Sequence, residues 1–166
     1  MDFKKLIPDF NAVAKTDWAK PHIDTKDKNW LVVAGLVLLM VIFVFLPWQT
    51  LTELVSGKSQ SESLLGITTW CGVLSFILAL VAAYGVLYKQ IQFTFCSSVL
   101  VAVLALIGWL TVFEMTKDGE VATSDQIKFF AELGAVKVSH IGAVLTLVAA
   151  LATAAVSFLQ IKKANE

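Results

Sequence analysis

Of the chain's 166 residues, 57% are hydrophobic and 16% charged, whereas a soluble domain carries about a quarter charged residues and just under half apolar ones. The mean hydropathy is +0.76 and the apolar residues are gathered into long blocks, so the composition calls for a lipid bilayer around one compact membrane domain. The formal net charge is zero and all thirteen basic residues are Lys, which argues against a phosphate-binding stripe and a nucleic-acid partner, and removes the bidentate clamp that Arg provides.

Residues 1–29 form a polar tail with one patterned stretch. Phe3, Leu6, Ile7, Phe10, Val13, Ala14 and Trp18 recur at three- and four-residue spacing, Pro8 suits a first helical turn and Pro21 ends the segment. The pattern predicts a short amphipathic helix on the inner leaflet, with a docking helix for a partner as the alternative. The first span runs from Trp30 to about Trp48 without a charge, a rise of roughly 27 Å that matches a hydrocarbon core with one Trp at each interface. It is too long for a signal peptide and lacks a small-residue cleavage site, so it is expected to be retained.

The first outer loop, Gln49 to Leu65, alternates through Thr50, Leu51, Thr52, Glu53 and Leu54 before Ser56-Gly57-Lys58, which suggests a small β-hairpin. The second and third spans, about 66–88 and 93–113, are separated only by Lys89-Gln90-Ile91-Gln92 and form a tight antiparallel pair. In the second outer loop Thr123 precedes Gln126 by three residues, a capping-box pattern followed by Ile127, Phe129, Phe130, Leu133 and a stop at Gly134, so a short helix is predicted. The fourth span covers about 138–161, and Lys162-Lys163 opens a cytoplasmic C-terminus at 162–166. The predicted fold is therefore all-α: a membrane four-helix bundle over 30–161 with short outer loops.

Lysine placement sets the orientation. Lys4, Lys5, Lys15, Lys20, Lys26, Lys28, Lys89, Lys162 and Lys163 fall on one side and Lys58, Lys117, Lys128 and Lys137 on the other, so the side with nine is cytoplasmic and both termini lie inside. Trp48, Trp70 and Trp109 then mark an outer aromatic belt, and Trp30, Tyr84 and Tyr88 an inner one.

No ionisable residue sits at mid-membrane, where such groups usually mark a transport path. Glu114, Lys137 and His140 lie at the outer ends of the third and fourth spans. They are candidates for a pH-sensitive outer-leaflet cluster, against the plainer reading that all three reach water in the headgroup zone. Small residues form stripes: Gly142, Thr146, Ala150 and Ala154 beside Ala149, Thr153 and Ser157 in the fourth span, Ser75, Ala79 and Ala83 in the second, and Ser98, Ala102 and Ala105 in the third. They predict close helix packing within the bundle, with oligomerisation as the alternative.

Catalytic patterns are missing from the sequence. It has no paired carboxylates, Cys-x-x-Cys, His cluster or Gly-rich phosphate loop, so an enzyme, a metal and a cofactor are not expected. His22 stands alone in the tail and reads as solvated. Cys71 and Cys96 fall at depths differing by roughly 20 Å, too far for a disulfide, and read as small packing residues with inert thiols.

Val44-Phe45-Leu46-Pro47-Trp48, a polar loop, and Gly66-Ile67-Thr68-Thr69-Trp70-Cys71-Gly72 together resemble small bacterial four-helix inner-membrane proteins, a group with no assigned activity. The layout is also similar to that of claudins, in which a Trp follows the first span and a Gly-Leu-Trp element lies in the first outer loop; here the spacing differs and the claudin cysteine pair is absent. The resemblance implies topology and a bacterial inner membrane, and transfers no functional residue. The expected role is a non-enzymatic accessory or structural subunit with a protein partner or self-association. A small oligomeric channel or transporter, with Ser75, Ser97, Ser98 and Thr146 lining a path, and a sensor or immunity protein reading a periplasmic partner are the alternatives.

Overall fold

The computed structural model describes residues 6–17, 20–53, 61–117 and 120–164. Its first helix, α1 (Phe10–Ala14), spans five residues, shorter than the predicted amphipathic helix, whose outer members Phe3 and Trp18 lie outside the described residues. The tail does not lie free of the helices. The Thr16 hydroxyl and the Tyr84 hydroxyl stand 2.7 Å apart, the His22 amide donates to the Leu87 carbonyl at 2.6 Å, and Phe10 meets Phe93 edge to face at 5.4 Å.

Helix α2 (Lys28–Phe43) starts where Asp27 accepts from the Asn29 amide at 2.9 Å, a standard N-cap. It ends short of the predicted 30–48 span. Pro47 has no amide to donate, and its ring would collide with the carbonyl of residue 43 if the helix ran on, so the chain turns at 44–46 and leaves as a strand. Strand β1 (Pro47–Glu53) pairs antiparallel with β2 (Ser61–Leu65), as the alternating loop suggested; the predicted Ser-Gly-Lys tip lies outside the described residues.

A 3-10 turn over Gly66–Thr68 leads into α3 (Trp70–Leu87), capped by Thr69, whose hydroxyl oxygen accepts from the Gly72 amide at 3.0 Å and whose hydroxyl donates to the Gly66 carbonyl at 2.8 Å. The tight connection to α4 (Ile91–Leu110) is a Schellman-type closure: the Gln90 amide reaches back to the Gly85 carbonyl at 2.8 Å while Lys89 sits at φ 57°. A short hairpin of β3 (Met115–Lys117) and β4 (Glu120–Ala122) follows. Helix α5 (Ser124–Glu132) then forms with its Thr123/Gln126 capping box closed, and Gly134 at φ 71° stops it.

The region placed at the start of the fourth span is instead strand β5 (Val136–Ser139), which pairs antiparallel with β1, opposing Thr50 to Ser139 and Thr52 to Lys137. Only then does α6 (Ile141–Lys163) begin. The all-α expectation is thus corrected: a three-stranded sheet of order β2-β1-β5 closes one end of a largely helical molecule. Residues paired across that sheet cannot also donate to a helix ladder, which is why the apolar segments overran the helices at 48 and 138; at 113 the backbone instead pairs with the Gln49 side chain.

Helices α3, α4 and α6 are long and apolar enough to cross a membrane; α2 is apolar but has 16 residues, a rise of about 24 Å. Helix α6 packs on α4 and α2, and α3 on α4 and α2. The size distribution is the reverse of a soluble core. Ser75, Ala79, Ala105, Ala150, Thr153 and Ser157 are buried, whereas Leu38, Leu80, Leu100 and Leu151 are exposed on the outside. Of the small stripe residues only Ala83 is half-buried; the others are buried. Small side chains let backbones approach, as where the Thr94 hydroxyl donates across to the Ala82 carbonyl at 3.1 Å over the space left by Gly85.

Candidate functional site

The sheet end carries the most specific side-chain arrangement among the described residues, and it is built around Trp48 and Gln49. A register shift between Pro47 and Gln49 puts two consecutive side chains on the buried side of β1, where regular alternation would bury one. Trp48 is fully buried, so it does not belong to an outer aromatic belt as the sequence suggested. Its indole Nε1 donates to the Phe43 carbonyl at 3.3 Å.

Three glycines from three elements make room for that ring. A Cβ on Gly108 of α4 would stand 2.6 Å from Trp48 Cζ3, one on Gly142 of α6 would stand 2.9 Å from Cδ1, and one on Gly66 would collide with the indole nitrogen and the Val44 carbonyl. Val44, Cys71, Ala105 and Ala143 complete the apolar packing around it.

Gln49, also fully buried, reads the backbone of Phe113 with both ends of its amide: Nε2 donates to the Phe113 carbonyl at 2.8 Å and Oε1 accepts from the Phe113 amide at 2.6 Å. Phe113 lies in the extended stretch between α4 and β3, so one side chain of β1 pairs both of its peptide groups and ties the sheet to the segment that leaves α4. Together the indole and the amide tie β1 to α4, α6 and the turn before α3.

The predicted polar cluster is only loosely assembled. Glu114 and Lys137 are both exposed, and among the described residues no ion pair joins either to the other or to His140. His140, half-buried at the junction of β5 and α6, is held below the ordinary imidazole pKa by burial, partly opposed by a hydrogen bond to the Thr111 backbone. Its Nε2 has no partner among the described residues.

Of the predicted belt residues, Trp70 and Trp109 are exposed, Tyr84 and Tyr88 are half-buried, and Trp30 donates its indole N–H to the Val86 carbonyl at 3.2 Å. Cys71 and Cys96 are unpaired with each other; Cys71 packs beside Trp48, and the Cys96 thiol points to the Leu6 carbonyl at 3.4 Å.

The sheet also carries a surface. On α5 only Ile127 is buried, while Phe129 (58% exposed), Phe130 (47%) and the adjoining Leu133 (64%) face outward; Ala135 donates to the Phe130 carbonyl and so joins the helix to β5. No group of three or more His, Cys, Asp or Glu side chains stands close enough to hold a metal among the described residues. No protein family, curated protein or solved structure matches this chain.

Sequence reasoning missed Trp48 and Gln49 because a Trp at the end of an apolar run reads as an interfacial anchor. The available signal was Pro47 just before it, together with Gly66, Gly108 and Gly142, all of which fall near the same end of their segments.

Proposed function

We propose that this chain is a four-span protein of a bacterial inner membrane, with both termini in the cytoplasm, that works without catalysis as an accessory or structural subunit. Its sheet end is a rigid platform on the outer side, and the platform presents α5 to a protein partner. The observation that carries this reading is the exposed Phe129, Phe130 and Leu133 face mounted on a sheet that Trp48 and Gln49 bind to the helices. Aromatic residues exposed on a fixed scaffold are the usual anchors of protein interfaces.

The nine-to-four lysine distribution supports the orientation, and the inverted size distribution of the helices supports the bilayer. Two of the four residues that could line a path, Ser98 and Thr146, have hydroxyls committed within their own helices, whereas Ser75 Oγ is buried with no partner among the described residues. Ser98, Thr146 and Thr153 are fully buried and donate to carbonyls one turn back in their own helices, at 2.7, 2.8 and 2.7 Å, so their donors are already satisfied.

Two measurements test the reading. With Cys71 and Cys96 replaced, a single cysteine at Lys128 should react with a membrane-impermeant reagent in intact cells, and one at Lys26 should react only after lysis; the reverse result overturns the orientation. A photo-crosslinking residue at Phe129 should give one discrete adduct in native membranes, lost in Phe130→Ser/Leu133→Ser. Adducts with lipid only, or with many proteins equally, would remove the platform reading.

A further inference from the structure

At the end opposite the sheet, two cavities meet. The deeper, of about 250 Å³, lies between the starts of α2 and α4 and the ends of α3 and α6; His22, Asp24, Asp27, Trp30, Lys89 and Gln160 supply its polar groups and its indole. The shallower, of about 400 Å³, shares His22 and Lys89 and adds Lys15 and Lys20 beside Asp9 and Asp17. The charges are unevenly placed: Asp24 and Asp27 lie in the deep part, Lys89 stands at the boundary, and in the open part Lys20 is paired with Asp17 at 3.5 Å, which leaves Lys15 beside Asp9.

The carboxylates are held in place. Asp24 Oδ1 accepts from the amides of Lys26 and Asp27 at 3.1 and 3.2 Å, with its other oxygen 3.8 Å from His22 Nε2; Asp27 uses Oδ1 to cap α2. Each thus spends one oxygen on the backbone, and the second oxygen of Asp24 stands beside His22 in the cavity wall. The boundary residue is held at a conformational cost. Lys89 is the one non-glycine residue at positive φ among the described residues, in a position that glycine fills most easily, and it forms no ion pair among them.

We propose that this double cavity binds a phosphoethanolamine group, its primary ammonium among Asp24, Asp27 and the Trp30 ring and its phosphate at Lys89 on the side of Lys15. An ammonium brings three donors, which the second oxygens of Asp24 and Asp27 and the Gln160 amide oxygen can accept, and an indole adds a cation-π face. A choline head has no donor for those oxygens. The group can come from a phospholipid of the adjacent leaflet or from a soluble phosphoethanolamine, and the two sources share this chemistry.

The test uses the full chain in phosphatidylcholine nanodiscs. One arm adds free phosphoethanolamine and reads binding by calorimetry; the other doses phosphatidylethanolamine into the discs and reads retained lipid by native mass spectrometry. Binding in the first arm assigns the soluble source and binding in the second assigns the lipid. Asp24→Asn/Asp27→Asn keeps both backbone-accepting oxygens and the cap, so the fold should survive, while binding should fall at least about 10-fold, the scale of one lost charge-assisted contact. Lys89→Gly should weaken binding similarly while raising the unfolding temperature by roughly 2–4 °C, since it relieves the left-handed position. Failure of both arms, equal binding of phosphocholine, or unchanged binding in either variant overturns the proposal.

Discussion

Replacing Gly108 by Ala probes the seat of Trp48 with a single methyl group. In a helix the change by itself is favourable by about 0.8–1.0 kcal/mol. Here the new Cβ would stand 2.6 Å from Trp48 Cζ3 and 2.7 Å from Cε3, closer by roughly 1 Å than the usual carbon separation of about 3.5–4.0 Å. The ring has little room to slide away, because Gly66 and Gly142 stand against its opposite, pyrrole edge, where a Cβ on either would collide with it. Overpacking of a core in this way costs about 1–3 kcal/mol, and with the ring held between two opposed edges the upper half of that range applies, leaving a net loss of about 1–2 kcal/mol. Gly35 is the internal control. A Cβ there meets nothing within 4 Å, so Gly35→Ala on α2 should gain the full propensity term. The two variants should therefore differ by about 2–3 kcal/mol in detergent, read by SDS titration with helical circular dichroism as the signal. Trp48→Phe removes the six-membered ring portion that collides, so in a double-mutant cycle it should cancel about 1 kcal/mol or more of the Gly108→Ala loss. A Gly108→Ala protein as stable as Gly35→Ala, or an additive cycle, would refute the account of how the sheet is seated.

Gln49→Leu should cost about 1–3 kcal/mol, since it strands both backbone groups of half-buried Phe113, and amide exchange at Phe113 should accelerate; continued protection there would show that Gln49 is replaceable. His140 carries a depressed pKa in the folded protein, so the unfolded chain binds the proton more readily, and stability should be full above the ordinary imidazole value of about 6.5 and fall as pH drops below it toward the folded value. In His140→Gln that acid-side loss should shrink, and stability profiles of the two proteins that stay parallel from pH 7 to pH 5 would remove His140 as its origin. Ala150→Leu places three extra carbons where α6 is fully buried and should cost about 1–3 kcal/mol, whereas Leu151→Ile on the exposed side of the same helix should be nearly silent; equal thermal stability of the two would argue against α6 packing by its small side.

Much of the helical content was legible because blocks of apolar residues long enough to span lipid have few other uses; α3 falls within its block, and α4 and α6 pass the inner ends of theirs by two residues. The capping box of α5 was equally legible, since Thr123 and Gln126 satisfy each other locally and need nothing distant. The ends of the spans were not. Hydropathy sees that Val138 or Phe113 is apolar, but whether its backbone joins a helix or pairs elsewhere depends on a partner far along the chain: Val138 opposes Leu51, and Phe113 meets Gln49. The same blindness hid Trp48, whose character as anchor or core residue turns on glycines contributed by three other segments. Glu114, Lys137 and His140 were grouped by depth along the spans, yet proximity along that axis does not make a paired cluster, because Glu114 and Lys137 turn to the surface.

The order of strands in the sheet has a bearing on how the molecule is made. β1 finds β2 almost at once, across a short loop, but its other edge must wait for β5, which leaves the ribosome only after α3, α4 and α5. Until Ser139 has been synthesised and delivered, β1 is a free edge, the kind of template that recruits foreign strands. Synthesis arrested after α4 would thus leave a chain with most of its apolar helices complete and its sheet one strand short. A quality-control protease or chaperone could recognise that open edge as the mark of an unfinished protein.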